Sequence, residues 1–247
     1  MKTNLGIFFK KFVDILQDIF FPKQCINCDK YGSYLCNRCR KTHLQFYSEN
    51  ICHVCRKETI LSKILVHRSC SHNTLLNEVI PCLRYNHLTQ QIIEEIKYQY
   101  NFSFVSLIID LMLEVLDISK FRDSIFVPIP LHKSKFNKRG FNQAELIAKS
   151  LVGKLKGWKV EVEVLNLVSR TKNTKTQVGM SKVERLSNLD SAFSLNQKYM
   201  EKIERLKSKR IWLIDDVMTT GTTLEQCAGV LQSLGFKDIR AVVFARG

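Results

Sequence analysis

A chain of 247 residues with 45% hydrophobic content is long enough for one full α/β domain and a smaller module. Its 38 Lys and Arg against 23 Asp and Glu leave a net charge of +15, which calls for a polyanionic partner or an anionic membrane surface. No secretory signal is apparent and no apolar stretch is long enough to span a bilayer, which argues against export and against an integral membrane protein.

Residues 1–22 read as an amphipathic helix. Phe8, Phe12, Ile15 and Ile19 recur at helical spacing, Lys10, Lys11, Asp14 and Asp18 break the apolar run, and Pro22 ends it. The expectation is a helix packing its apolar face on the protein; the alternative is an interfacial helix making a peripheral contact with the inner face of a membrane.

Residues 23–78 form a cysteine module. The chain has nine cysteines. Cys25 and Cys28, then Cys36 and Cys39, make two C-x-x-C knuckles seven residues apart. Four soft donors on two turns suit tetrahedral Zn²⁺, so these four are expected to close one structural site. Cys52 and Cys55 form a third knuckle, and His67 with Cys70 repeats the spacing with His in place of Cys, giving a second expected site. His72 is a rival ligand, and His53 lies inside the third knuckle. A disulfide framework would need an oxidising compartment. Cys82 and Cys227 stand alone and read as buried apolar residues. The module has little apolar content, so metal is expected to hold it together.

Residues 79–247 alternate between strand and helix patterns, which predicts a parallel sheet with helices on both faces and no internal repeat. Strands are expected at 79–85, 124–129, 160–168, 211–214 and 238–245, and helices at 88–100, 104–116, 142–156, 198–207 and from Thr222 or Thr223 to about Leu234. Positive charge concentrates at 132–185, with 13 Lys and Arg against 4 Asp and Glu. Within that segment, 131–143 reads as a basic loop leaving a strand end. The stretch from Arg170 to Gln177 reads as a second, mobile loop ahead of a capping box at Ser181 and Glu184.

The most informative run follows the apolar strand Ile211, Trp212, Leu213, Ile214. Asp215 and Asp216 sit at its C-terminal end, where open α/β sheets bind ligands. Val217, Met218, Thr219, Thr220, Gly221, Thr222 and Thr223 then lead into a helix. Free N–H groups and the dipole of a helix start attract anions. Gly221 lets the backbone approach a phosphate, the threonines supply hydroxyl donors, and the two carboxylates can accept from sugar hydroxyls. No Lys follows the glycine, which excludes a Walker loop. This run resembles the signature of the type I phosphoribosyltransferases, which bind phosphoribosyl pyrophosphate (PRPP).

Taken with the tandem cysteine pairs, Val127 to Leu131, Arg139 to Gln143, Thr176 with Gln177 and Glu184 with Arg185, the chain resembles the ComF family of bacterial competence proteins over nearly its whole length. One departure is His67 where that family usually shows Cys. The resemblance implies a zinc module on a phosphoribosyltransferase-like domain, a cytoplasmic location and a role in natural transformation. The expected partner is single-stranded DNA, tracked by the basic surface, with Phe136, Phe141, Tyr98 and Tyr100 available to stack bases.

A second expectation is a transferase. Asp215 and Asp216 would be its catalytic, ribose-holding pair, residues 219–223 would hold the 5-phosphate, and Lys97 and Arg139 would meet the pyrophosphate with Mg²⁺. A third is a zinc-dependent adaptor for a DNA-uptake helicase or pore protein.

Overall fold

A computed structural model describes residues 22–47, 51–59, 66–170 and 192–247. The amphipathic segment at the N-terminus, the basic stretch after Arg170 and the capping box at Ser181 lie outside the described residues.

Five parallel strands make the central sheet: β1 (Glu78–Arg84), β2 (Ser124–Pro128), β3 (Val162–Val164), β6 (Arg210–Met218) and β7 (Ile239–Arg246), in the order β1-β7-β6-β2-β3. The middle strands read as continuous apolar runs because both sheet faces are covered. Between β4 (Val168–Arg170) and β5 (Phe193–Leu195) runs a separate antiparallel pairing.

Ahead of the sheet lies α1 (Asn37–His43), in the cysteine module. One sheet face carries α2 (His87–Gln99), α3 (Ser103–Leu113) and α5 (Gln143–Gly157). Ile92, Ile96, Ile108, Met112, Ile147 and Leu151 pack there against Phe126, Trp212 and Ile214. The other face carries α7 (Thr222–Ser233), which buries Leu224, Cys227, Ala228 and Leu231 against Ile211, Leu213 and Val243. This division follows from handedness. The chain moves from β1 to β2 to β3 in one direction along the sheet and from β6 to β7 in the other, so right-handed crossovers fall on opposite faces. Connections therefore leave β2 and β6, which are neighbours, on opposite sides, and the crevice beyond their C-terminal ends is the topological switch point.

Three expectations differ from the structure. The predicted strand over 160–168 is broken. Val162 packs on one sheet face and Leu167 with Val168 on the other, and the Leu167 N–H donates to the Leu165 carbonyl at 2.9 Å as the chain crosses the edge. The basic loop after Pro130 contains a two-turn helix, α4 (Lys133–Arg139), capped by the His132 ring on Ser134 N–H and ended by Gly140 at φ 76°. The predicted helix over 198–207 is a 3₁₀ turn (Gln197–Lys202) running into a short α6 (Ile203–Leu206).

Among the described residues the cysteine module shares the core of the α/β domain. Cys25, Leu35, Cys39 and Leu44 join the same apolar cluster as α3, with the Tyr34 ring 5.0 Å from Phe104. Residues 45–47 add hydrogen bonds to the free edge of β1, Tyr47 N–H donating to Cys82 O and Arg84 N–H to Gln45 O.

Candidate functional site

At the switch point, β6 runs on through both carboxylates to Met218 rather than ending before them. Alternation along the strand sends the two side chains apart. Asp216 is buried and faces the helices of the α2 and α5 layer, where Lys97 forms an ion pair with it and Gln143 Nε2 donates to its Oδ1 at 3.2 Å. Asp215 is partly exposed, and its Oδ1 accepts the Asp216 N–H at 2.9 Å. Burial raises the Asp215 carboxyl well above the ordinary carboxylate range, and the Asp216 charge beside it adds to the shift. Burial also opposes ionisation of Asp216, but the Lys97 ammonium and the hydrogen bond from Gln143 outweigh it and leave that carboxyl below its ordinary value. Asp216 is therefore the more readily ionised of the pair.

The loop after the strand turns at Gly221, whose φ of 81° favours glycine, and α7 starts directly behind it with no side-chain cap. Thr219, Thr220 and Thr222 are exposed, Thr223 is half-buried, and the Thr220 and Thr222 hydroxyls lie 2.9 Å apart. Among the described residues Thr222 N–H meets only the Thr220 hydroxyl, at 3.4 Å, so the helix start, its dipole and the solvent-facing hydroxyls are suited chemically to an anion such as phosphate.

Residues 139–143 tie this helix start to the basic surface. Asn142 Nδ2 donates to the Ile129 carbonyl at 2.9 Å while its Oδ1 caps α5 on Ala144 N–H, which fixes the helix to the end of β2. Arg139 donates to Gln143 Oε1 at 3.2 Å and to the Tyr98 hydroxyl at 3.3 Å, its guanidinium lying 5.1 Å from the Tyr98 ring centre. The side chains thus run Tyr98, Arg139, Gln143, Asp216, Lys97. Lys97 and Arg139 both come to the site, but Lys97 is engaged by Asp216. Gln143 was visible only as part of a motif, since nothing local in the sequence reveals a partner 73 positions away.

Around this chain the surface is cationic and aromatic. Lys133, Lys135 and Lys138 are exposed on α4, together with Phe136, Tyr98, Tyr100 and Phe102. Phe141 differs from the sequence-based expectation. It is half-buried, packed edge-on against Tyr100 (5.9 Å) and Phe102 (5.1 Å), and so anchors the aromatic group from beneath.

The cysteine module brings two donor sets together. The ligand atoms of Cys25, Cys28, Cys36 and Cys39, and likewise of Cys52, Cys55, His67 and Cys70, lie within 4.8 Å of one another. Cys28 Sγ and Cys36 Sγ are 3.7 Å apart, close to the ~3.8 Å edge of a tetrahedron with Zn–S bonds of about 2.3 Å. The two knuckles repeat each other's turn. Asp29 and Arg56, each four residues after the first Cys, take φ near 60° (58° and 63°), and their N–H groups donate to Cys25 O and Cys52 O. Backbone N–H groups offset the effect of burial and lower the Cys25 and Cys52 thiols to about 6, which favours the thiolates a metal needs.

In the second set His67 Nδ1 lies 3.1 Å from Cys55 Sγ, and its Nε2 lies 3.1 Å from the Glu58 carbonyl, the outer contact common to metal-binding imidazoles. His53 is turned away to Thr74, and His72 is outside the group. Both donor sets fit zinc.

A double zinc ribbon domain model matches residues 16–72 and a phosphoribosyl transferase domain model matches residues 137–247. Competence protein ComFC of Streptococcus pneumoniae is 24% identical over 90% of this chain and 87% of its own length. Competence protein F of Haemophilus influenzae is 37% identical over 49% of each chain. The chain is similar to the ComF family of competence proteins. The DNA utilization protein YhgH of Escherichia coli is 31% identical over 49% of this chain and 48% of its own. The chain spans about half the length of these last two relatives. It combines a double zinc ribbon module with the parallel phosphoribosyltransferase-type sheet expected from the sequence. Among the described residues no helix is long and apolar enough to cross a membrane.

Proposed function

We propose that this chain is a competence protein that handles incoming single-stranded DNA in the cytoplasm and binds PRPP with Mg²⁺ at the switch point. The observation that carries the reading is the side-chain run from Tyr98 through Arg139 and Gln143 to Asp216, which joins an exposed cationic and aromatic surface to a phosphate cradle. Lys133, Lys135 and Lys138 would neutralise backbone phosphates, and Phe136, Tyr98 and Tyr100 offer ring faces to bases, each stack contributing roughly 1–3 kcal/mol. Residues 219–223 would hold the 5-phosphate, and Asp215 and Asp216 the ribose hydroxyls. Mg²⁺, when bound, supplies charge neutralisation to the pyrophosphate.

The test is binding of a labelled single-stranded oligonucleotide with and without Mg²⁺ and PRPP, following PRPP breakdown in the same sample. Salt-sensitive binding with PRPP left intact is the expected result. DNA affinity indifferent to salt would contradict the DNA reading. PRPP consumption with weak DNA binding would favour the second reading, a phosphoribosyl transfer to a nucleophilic acceptor. That reading is supported by the different settings of the acid pair, Asp216 buried against Lys97 and Asp215 partly exposed. A partner-dependent adaptor for the DNA-uptake helicase or pore is compatible with the first reading through the zinc module.

A further inference from the structure

Beside the second donor set, its inner residue His53 contacts Thr74 and Arg246, each of which has a partner next to the loop 219–221. His53 is 5% exposed, and its Nε2 lies 3.1 Å from Thr74 Oγ1. The Thr74 hydroxyl donates in turn to Glu225, in the first turn of α7, so its oxygen accepts from His53 and from Leu76 N–H at 3.1 Å. Leu75 N–H donates to the second Glu225 oxygen at 2.8 Å. From its other side, the His53 carbonyl accepts from Arg246 at 2.7 Å. Arg246 is the β7 residue in register with Met218, where the phosphate loop begins, and Met218 O accepts from Gly247 N–H.

The role of Glu225 decides what this connection does. A carboxylate in the first turn of a helix is drawn to the same free N–H groups and the same dipole that attract a phosphate. In this structure both Glu225 oxygens are held outward by Thr74 and Leu75, and the N-terminus of α7 has no side-chain cap. Residues 74–76 are held from two sides, Thr74 by His53 of the knuckle and Leu76 by burial in the apolar cluster beneath α7, so the knuckle bears on Thr74 directly.

We propose that the site of Cys52, Cys55, His67 and Cys70 is coupled through His53, Thr74 and Glu225 to the phosphate loop, so that metal in the one and a phosphate-bearing ligand in the other tighten each other's binding. Thr74 and Glu225 are positioning residues in this scheme. The proposal rests on the reading of residues 219–223 as a phosphoribosyl site. Coupling of this kind is reciprocal, and typical values correspond to roughly 5-fold or more in affinity.

The test uses the full chain with cobalt in both donor sets, since the Cys₄ and Cys₃His environments differ in thiolate number and absorb differently. Cobalt loss to a chelator is followed with and without saturating Mg²⁺ and PRPP, and PRPP occupancy is measured by calorimetry on the same preparation. PRPP should strengthen cobalt retention roughly 5-fold or more in the Cys₃His set only. Thr74→Val should abolish that difference and weaken PRPP binding by a similar factor. Thr74→Val combined with Glu225→Gln should regain PRPP affinity, because a neutral amide no longer competes for the helix start; loss of affinity in both variants would leave a merely structural role for Thr74 and overturn the proposal. PRPP bound to the unaltered protein with cobalt retention unchanged would overturn the coupling and leave the phosphoribosyl reading intact. No PRPP binding at all would overturn that reading, and the coupling with it.

Discussion

Lys97, in the last turn of α2, forms an ion pair with Asp216, the buried carboxylate of β6, and its side chain is only 19% exposed. The cation proposed for the pyrophosphate thus also stabilises the charge on Asp216. The two roles are compatible, because an ammonium has three donors and Asp216 occupies one direction.

Lys97→Met tests this pairing. Removing the cation leaves a carboxylate in a poorly solvated site, and breaking buried pairs in this way costs about 3–5 kcal/mol. The Asp216 carboxyl lies below its ordinary value of 3.8, so its pairing stabilises the fold above that value and the contribution fades as pH falls through the lower folded value. The Tm of Lys97→Met should therefore fall furthest below that of the unaltered protein near pH 7, and the gap should narrow toward pH 3. A gap independent of pH would mean that Lys97 contributes packing alone.

Asp215 has the opposite sign. A carboxyl raised above its ordinary value favours its proton in the folded state, so it destabilises the fold as pH rises from 3.8 toward the folded value. Asp215→Asn should raise Tm at pH 7 by roughly 2–4 °C, the shift that about 1 kcal/mol produces in a chain of this size, and should abolish Mg²⁺-dependent PRPP binding. In the unaltered protein that binding should tighten as pH rises, because a carboxyl raised above its ordinary value ionises later and the Mg²⁺-dependent complex uses its ionised form.

The features legible in the sequence are those written in neighbouring residues. Ile211 to Ile214 announce a strand buried on both faces, Gly221 amid threonines announces a tight loop before a helix, and the C-x-x-C spacing announces each knuckle. What stayed hidden depends on distant contacts. Gln143 and Asp216 are 73 positions apart, and Thr74 and Glu225 are 151 apart, so no local pattern marks either pairing. The run 160–168 alternates Val with Glu161 and Glu163 and then turns apolar around Asn166. Its break between two sheets reflects which face each residue finds, which the periodicity of so short a run does not encode. Helix α4 was hidden by its four cations, which read as a solvated loop; the His132 cap and the Gly140 stop are the local signals that mark it.

Gly221→Ala isolates the loop. An alanine would have to hold a left-handed backbone at φ 81°, costing about 1–2 kcal/mol. Its Cβ would lie 2.6 Å from Met218 Cε, a flexible chain end that can turn aside. Relief of the backbone strain would rotate the N–H groups at the start of α7, so PRPP affinity should fall roughly tenfold, a loss of about 1.4 kcal/mol, while DNA affinity in the absence of PRPP stays unchanged. Equal losses in both would place the DNA on the loop itself.

Metal removal should unfold more than the cysteine module. Cys25 and Cys39 share one apolar cluster with Ile108 and Met112 of α3, and Arg40 pairs with Glu114 just beyond that helix. A structural zinc ion contributes about 10 kcal/mol or more at neutral pH, and each kcal/mol moves Tm by roughly 2–4 °C in a chain of this size. Stripping metal with a chelator under reducing conditions should therefore lower Tm by roughly 20 °C or more, in one transition that involves the α/β domain as well. Scanning calorimetry measures this directly. An upper transition left in place after chelation would show that the domain folds independently of its zinc module, and the shared core around Cys25 and Cys39 would then contribute little to stability.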